Sequence, residues 1–236
     1  MPPPTGAAGA GFPQPAQNRS RPSQWLRPAA ASLYNRAMSI LLIRHGETAA
    51  NVARIMQRPD VPLSARGVRQ AAQLAERLLA LGFAHVLCSD LLRARMTAAP
   101  LAARGHAIEE TPLLQERNFG DLRGTPYAEL TEDPFAPGFE PPGGESVEVF
   151  HRRAAEAFAL IVERRRALSG ALVVVTHGLV CGALLANHAR AGALPDGFAN
   201  AGLTVIDPDP PFEVRLLNST DHLVPDADDA AGGAPV

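Results

Sequence analysis

The apolar run Ile40-Leu41-Leu42-Ile43 ends abruptly in Arg44-His45-Gly46. A strand without polar alternation is one buried on both faces, as in a parallel sheet covered by helices. In open α/β sheets ligands sit at the carboxyl ends of the strands, so a guanidinium and an imidazole fall where chemistry is done. Residues 171–175 (Ala-Leu-Val-Val-Val) read as the strongest central strand, and Thr176-His177-Gly178 follow them.

The remaining pattern alternates between strands and helices. Ser64 precedes a helix predicted over 65–81, with Val68, Ala71, Ala72, Ala75, Leu78 and Leu79 on its apolar face and Gly82 ending it. Further strands are predicted at 84–88, at 107–111 on an edge, near 202–206 and near 213–217. Further helices are predicted from Ser89 or Asp90 to about Arg104, from Glu145 or Ser146 to about Leu168, and from Gly178 to about Ala189. Residues 51–64 and 112–145 read as loops, the second with one helical turn near Tyr127. A loop that long in a compact domain is more often a lid or binding loop than filler. The expected fold class is α/β, a three-layer α/β/α sandwich with a mostly parallel central sheet.

Composition narrows the chemistry. All 22 basic residues among the 236 are arginine. That excludes Schiff-base and P-loop lysines and leaves arginine as the permanently cationic anion ligand. A net charge of −2 gives no bulk attraction to nucleic acid or to an anionic membrane. No apolar run is long enough to cross a bilayer. Cys88 and Cys181 make no disulfide framework, so reduced thiols and a cytoplasmic location are expected. Residues 1–37 are rich in Pro, Gly, Ala, Ser and Gln, and the first acid is Glu47. They are expected to be disordered, with Met38 as the functional start. A domain over 38–224 and a disordered tail over 225–236 complete the expected organisation.

Four motifs carry a family resemblance. Leu42-Ile43-Arg44-His45-Gly46-Glu47-Thr48-Ala49-Ala50-Asn51 resembles the signature of the histidine phosphatase superfamily, the phosphoglycerate-mutase-like enzymes. The stretch from Ser89 to Ala98 resembles that family's S-x-L-x-R-A-x-x-T-A, with Arg93 as its arginine. Leu114 to Gly124 resembles its glutamate motif, with Glu116 as the glutamate. Val173 to Gly178 resembles the segment holding its second histidine, His177. The resemblance spans about residues 39–206 and implies a phosphoglycerate-mutase-like fold.

By that resemblance His45 is the nucleophile, forming a phosphohistidine that water hydrolyses. Arg44 and Arg93 hold the phosphoryl oxygens, a protonated His177 donates to one of them, and Glu116 is the proton donor. Asn51 and the main chain near Gly178 are secondary ligands. The chemistry agrees with these residue types. A histidine nucleophile splits one hard displacement into two, and it must be neutral to attack. Neighbouring arginines hold its pKa down. Guanidinium forks match phosphate oxygens, and phosphoryl transfer asks mainly for positioning and charge stabilisation. One carboxyl can protonate the leaving oxygen and then activate water. Asp121 is the fallback acid. The loop after the first motif, Gln57-Arg58-Pro59-Asp60, is a residue shorter than the family's and lacks its glycine, which turns Arg58 toward the substrate pocket.

Rival readings are weaker. Four residues rather than five separate Cys88 from Arg93, unlike a cysteine phosphatase. No His-x-His pair, HExxH or carboxylate cluster marks a metallohydrolase, so no metal or other cofactor is expected. The expected activity is metal-independent hydrolysis of a small phosphorylated substrate, a phosphomonoester. Mutase-type phosphoryl transfer and a non-enzymatic phosphate-binding regulator are the alternatives, and a homodimer stays open. The short interval 125–144 suggests an open site and favours hydrolysis, whereas the Glu116-Arg117 pair is mutase-like.

Overall fold

The computed structural model describes residues 38–225. The proposed N-terminal extension and all but Pro225 of the proposed tail lie outside the described residues. Six strands form one sheet: β1 (Ile40–Arg44), β2 (His85–Ser89), β3 (Ile108–Thr111), β4 (Leu172–Thr176), β5 (Leu203–Ile206) and β6 (Val214–Ser219). Their spatial order is β3-β2-β4-β1-β5-β6. The sheet is mixed. β3, β2, β4 and β1 pair in parallel, whereas β1–β5 and β5–β6 pair antiparallel.

The unbroken apolar strands have a simple cause. Ile40 and Leu42 enter one core with Leu172 and Val174, whereas Leu41 and Ile43 enter a second with Val173 and Val175. Successive side chains point to opposite faces, and both faces are covered. The first core packs against α4 (Val147–Arg166) and α5 (Gly178–His188), the second against α2 (Ala65–Leu81) and α3 (Leu92–Ala102). Three layers result.

The predicted helix over 65–81 is α2, begun by Ser64, whose hydroxyl accepts from the Gly67 amide. Ser146 likewise opens α4 by accepting from the Val149 amide. One expectation needs correction: Ala49–Val52 form a single helical turn, α1, which runs into the start of the loop predicted over 51–64. Thr48 and Asn51 build a reciprocal capping box there. The 112–145 segment contains three short 3₁₀ turns, at 112–114, 120–122 and 127–129, with irregular backbone between them.

Candidate active site

β1 and β4 are neighbours in register, Arg44 opposite Thr176. The residues that follow each strand therefore emerge side by side. The His45 amide donates to the Thr176 carbonyl at 2.9 Å. The imidazoles of His45 and His177 lie 5.1 Å apart between centroids, tilted by 58°. Both are buried.

Two contacts set the state of His45. Nδ1 is 2.7 Å from the Gly46 carbonyl, which can only accept, so Nδ1 carries the proton. Nε2 accepts from Arg93 Nε at 3.2 Å, so the lone pair sits there. Burial, then the charges of Arg93 and Arg44, hold the imidazole well below its usual pKa. His45 is thus a neutral imidazole with its lone pair in the site, the form a nucleophile requires.

Arg93 comes from the first turn of α3. Its Nη1 donates to the Arg58 carbonyl at 3.1 Å, and burial lowers its pKa to about 10, so it stays charged at neutral pH. Thr97, one turn on, ties this helix to the nucleophile loop. Its hydroxyl donates to the Arg93 carbonyl at 2.7 Å and accepts from the Gly46 amide at 3.0 Å. Gly46 has no room for a side chain, because a Cβ there would lie 2.7 Å from the Gly67 carbonyl oxygen. Arg44 donates through Nη1 to the Phe198 carbonyl, while its buried Nε has no partner.

His177 ends β4 and caps α5. Its Nε2 is 2.8 Å from Ser89 Oγ. Ser89 Oγ also accepts from the Leu91 amide at 3.3 Å and keeps one proton and one lone pair for His177 Nε2. When the hydroxyl donates there, the His177 proton sits on Nδ1, a buried atom without a partner. Burial, with Arg93, His45 and Arg44, holds its pKa well below the usual value. Without a phosphoryl group the neutral imidazole is therefore favoured, and the protonated form expected of His177 belongs to the phosphoryl-bound site.

Glu116 reaches the same point from the 112–145 segment. Its Oε1 accepts from the Arg117 amide at 3.1 Å and its Oε2 from the Leu179 amide at 3.2 Å. The latter bond supplies the α5 cap that the His177 side chain does not make. Burial raises its pKa, against the opposing pull of Arg93, the two amides and Arg44. A carboxyl raised in this way suits a proton donor. Arg44 Nε and His177 Nδ1 are two of the four buried side-chain atoms without a hydrogen-bond partner among the described residues. Such atoms are costly unless something pairs with them, and both border His45.

The sequence profile of the histidine phosphatase superfamily (branch 1) matches residues 40–219. The chain belongs to this superfamily. A Xenopus tropicalis protein named fructose-2,6-bisphosphatase TIGAR is 34% identical over 51% of this chain. The match spans about half of that relative's length, 48%. A probable phosphoglycerate mutase, GpmB, of Yersinia enterocolitica is 35% identical over 63% of this chain and 73% of its own. Among solved structures, a mycobacterial glucosyl-3-phosphoglycerate phosphatase complexed with VO3 superposes with a TM-score of 0.67 and 28% identity. It covers 78% of this chain and all of its own. The α-ribazole phosphatase of Shigella flexneri has a TM-score of 0.67 and 29% identity over 77% of this chain and 96% of its own. The fold is that of a phosphoglycerate-mutase-like histidine phosphatase, and these relatives support a phosphatase or phosphoryl-transfer enzyme.

The outer residues of this histidine phosphatase differ from expectation in several places. Asn51 lies at the site's edge, but its Oδ1 is taken by the Thr48 amide and by Asn200 Nδ2, both at 3.2 Å. Asn200 also donates to the His45 carbonyl at 3.1 Å, so it positions the nucleophile loop. Gly178 packs beside Arg44, whose Nε would lie 3.5 Å from a Cβ there. Arg58 meets Arg93 through its carbonyl, while its side chain is two-thirds exposed. Asp121 is exposed, beside Gly143. Arg117 does not pair with Glu116. It donates to the carbonyls of Glu145, Pro134 and Phe139, pinning the outer loop. The nucleophile lies deep in the site, since only 2% of His45 is exposed.

Sequence reasoning assigned no role to Ser89, Thr97, Tyr127 or Arg123. Ser89 and Thr97 stand inside the motif that singled out Arg93, so the signal for them was present. Tyr127 is partly exposed to solvent at 36%, its pKa raised by desolvation and by the nearby Glu116, and Arg54 lies 6.0 Å from its ring centroid. Its only sequence signal was a turn. Among the described residues no group of three or more His, Cys, Asp or Glu side chains is placed to hold a metal, and no helix is long and apolar enough to cross a membrane.

Proposed function

We propose that this protein is a metal-independent phosphomonoesterase working through a phosphohistidine on His45. The observation that carries this reading is the Nε2 lone pair of His45, held by Arg93 beside the unpartnered donors of Arg44 and His177. A phosphoryl group placed against those donors meets the lone pair. Arg44 and Arg93 offset its charge, and the charge of the transition state, with no reorganisation. His177 donates from Nδ1 to an equatorial oxygen. Glu116 gives its proton to the departing oxygen, then takes one from the water that attacks the phosphohistidine.

Hydrolysis is favoured over mutase-type transfer by the cover of the site, which consists of turns with no helix. The names of the TIGAR and α-ribazole phosphatase relatives point the same way, whereas that of GpmB points to transfer. Trapping acid-labile, base-stable phosphate on His45 tests the intermediate, and its absence from an active preparation would overturn it. Feeding 3-phosphoglycerate separates the two outcomes: free phosphate supports hydrolysis, and 2-phosphoglycerate supports transfer.

A further inference from the structure

Arg123 is half-buried, and its guanidinium makes no hydrogen bond or ion pair among the described residues. Burial lowers its pKa, the Glu145 charge opposes that, and the Arg58 charge adds to it. An unpaired guanidinium partly out of water is costly, and a second one beside it more so. No carboxylate bonds its guanidinium: Glu145, whose charge reaches it, is committed elsewhere. Glu145 is engaged by Arg153 at 2.8 and 2.7 Å and by the Asn118 amide at 2.8 Å. Glu116 is bonded to two main-chain amides.

The backbone holds this arrangement in place. Residues 54–58 and 123–127 are zipped together. Gly124 donates to the Met56 carbonyl at 2.7 Å, Met56 to Thr125 at 2.9 Å and Tyr127 to Arg54 at 2.8 Å. Arg58 Cδ consequently lies 3.9 Å from where a Gly124 Cβ would be, beside Arg123. The Arg58 carbonyl bonds Arg93, which bonds His45, so the Arg58 main chain stands two hydrogen bonds from the nucleophile, and the Arg123 charge acts on Arg93. The side chain of Arg58 has only Asp60 at 3.7 Å, with both side chains largely in solvent. Such a pair holds it weakly. Arg44 and Arg93 already match the two charges of one phosphomonoester dianion.

We propose that Arg123 and Arg58 form a second anion subsite, which receives a carboxylate or second phosphate on the same molecule as the reacting phosphoryl group. The inference rests on the phosphomonoesterase reading and narrows its substrate class to doubly anionic phosphomonoesters. It accounts for the guanidinium at Arg58, in the loop that departs from the family pattern, and for the absence of a partner at Arg123.

The test is binding of non-hydrolysable probes to the full chain by calorimetry. Phenylphosphonate is compared with its 2-, 3- and 4-carboxy isomers, their uncharged carboxamides, and the three benzenediphosphonates. At least one carboxylate or diphosphonate should bind about tenfold tighter than its neutral counterpart, and Arg123→Gln should erase that advantage. An advantage confined to carboxylates identifies that group, and one confined to diphosphonates identifies a second phosphate. Equal affinity of charged and neutral isomers throughout, an advantage intact in Arg123→Gln, or no binding of any probe overturns the subsite. Failure of the phosphomonoesterase reading shows separately, as no phosphate released from phenyl phosphate while the phosphonates still bind.

Discussion

Ser89 Oγ stands 2.8 Å from His177 Nε2, and a hydroxyl that donates there holds the ring's proton on Nδ1. Replacing it frees the imidazole to choose the other tautomer, with Nδ1 then an acceptor aimed at phosphoryl oxygens. Ser89→Ala should lower kcat about tenfold with little change in KM. The 15N shifts of His177 should report the tautomer change, and Ser89→Thr should restore both. Unchanged shifts with an unchanged kcat would refute the role given to Ser89.

His45→Ala should reduce turnover by at least about a thousandfold, because the attacking lone pair beside Arg93 is lost. Cys88 and Cys181 are buried and their thiols are pushed far up by burial, so neither can substitute. The variant's melting temperature, taken alongside, separates lost chemistry from lost fold.

Glu116→Gln should cost about a hundredfold or more on alkyl phosphates and far less on an activated aryl phosphate, whose leaving group needs no proton. The pKa of Glu116 is raised and the protonated form is the active one, so activity falls as pH rises through that pKa. Glutamine cannot titrate, and the corresponding limb of the kcat/KM profile should vanish. Equal losses on both substrates would assign the acid elsewhere.

Stability should fall as pH falls below about 6.5, the usual imidazole value. His45 and His177 stay neutral when folded, whereas the unfolded chain takes up their protons. More protons are bound to the unfolded state, so unfolding gains about 1.4 kcal/mol per pH unit for each histidine. The effect persists down to their lowered folded pKa values. Melting curves between pH 7 and pH 5 measure it. A His177→Gln variant should show a shallower slope than the parent, and an identical slope would contradict the buried neutral state.

Thr97→Val should destabilise by about 1–3 kcal/mol, since the buried Gly46 amide loses its acceptor. Urea unfolding gives the figure. A change below a few tenths would show that the loop and α3 are held together by something else.

Much of this was readable in the residues themselves. The double burial of Ile40–Ile43 follows from an apolar run with no alternation, and Ser64 and Ser146 mark the helix starts that are seen. His45, Arg93, Glu116 and His177 converge as the four motifs imply. What was not readable depends on distance and solvent. The neutral state of His177 comes from its burial among Arg93, His45 and Arg44, which spacing does not convey. Arg117 follows Glu116 directly, yet its guanidinium turns to carbonyls 17 to 28 residues away. The α1 turn depends on a Thr48–Asn51 pair hidden in a stretch of turn formers. The nearness of Arg58 to Arg123 arises from a ladder between two loops with no strand pattern.

The register between β1 and β4 has a consequence for how such a chain can change. His45 and His177 are anchored to the two innermost ladders, so shifting one against the other would unzip the whole sheet. The residues from 112 to 145 carry no such penalty, and only Glu116 among them is tied to the reaction. Altered selectivity is therefore cheap to acquire by rebuilding that cover, while the bond-breaking apparatus beneath it stays fixed.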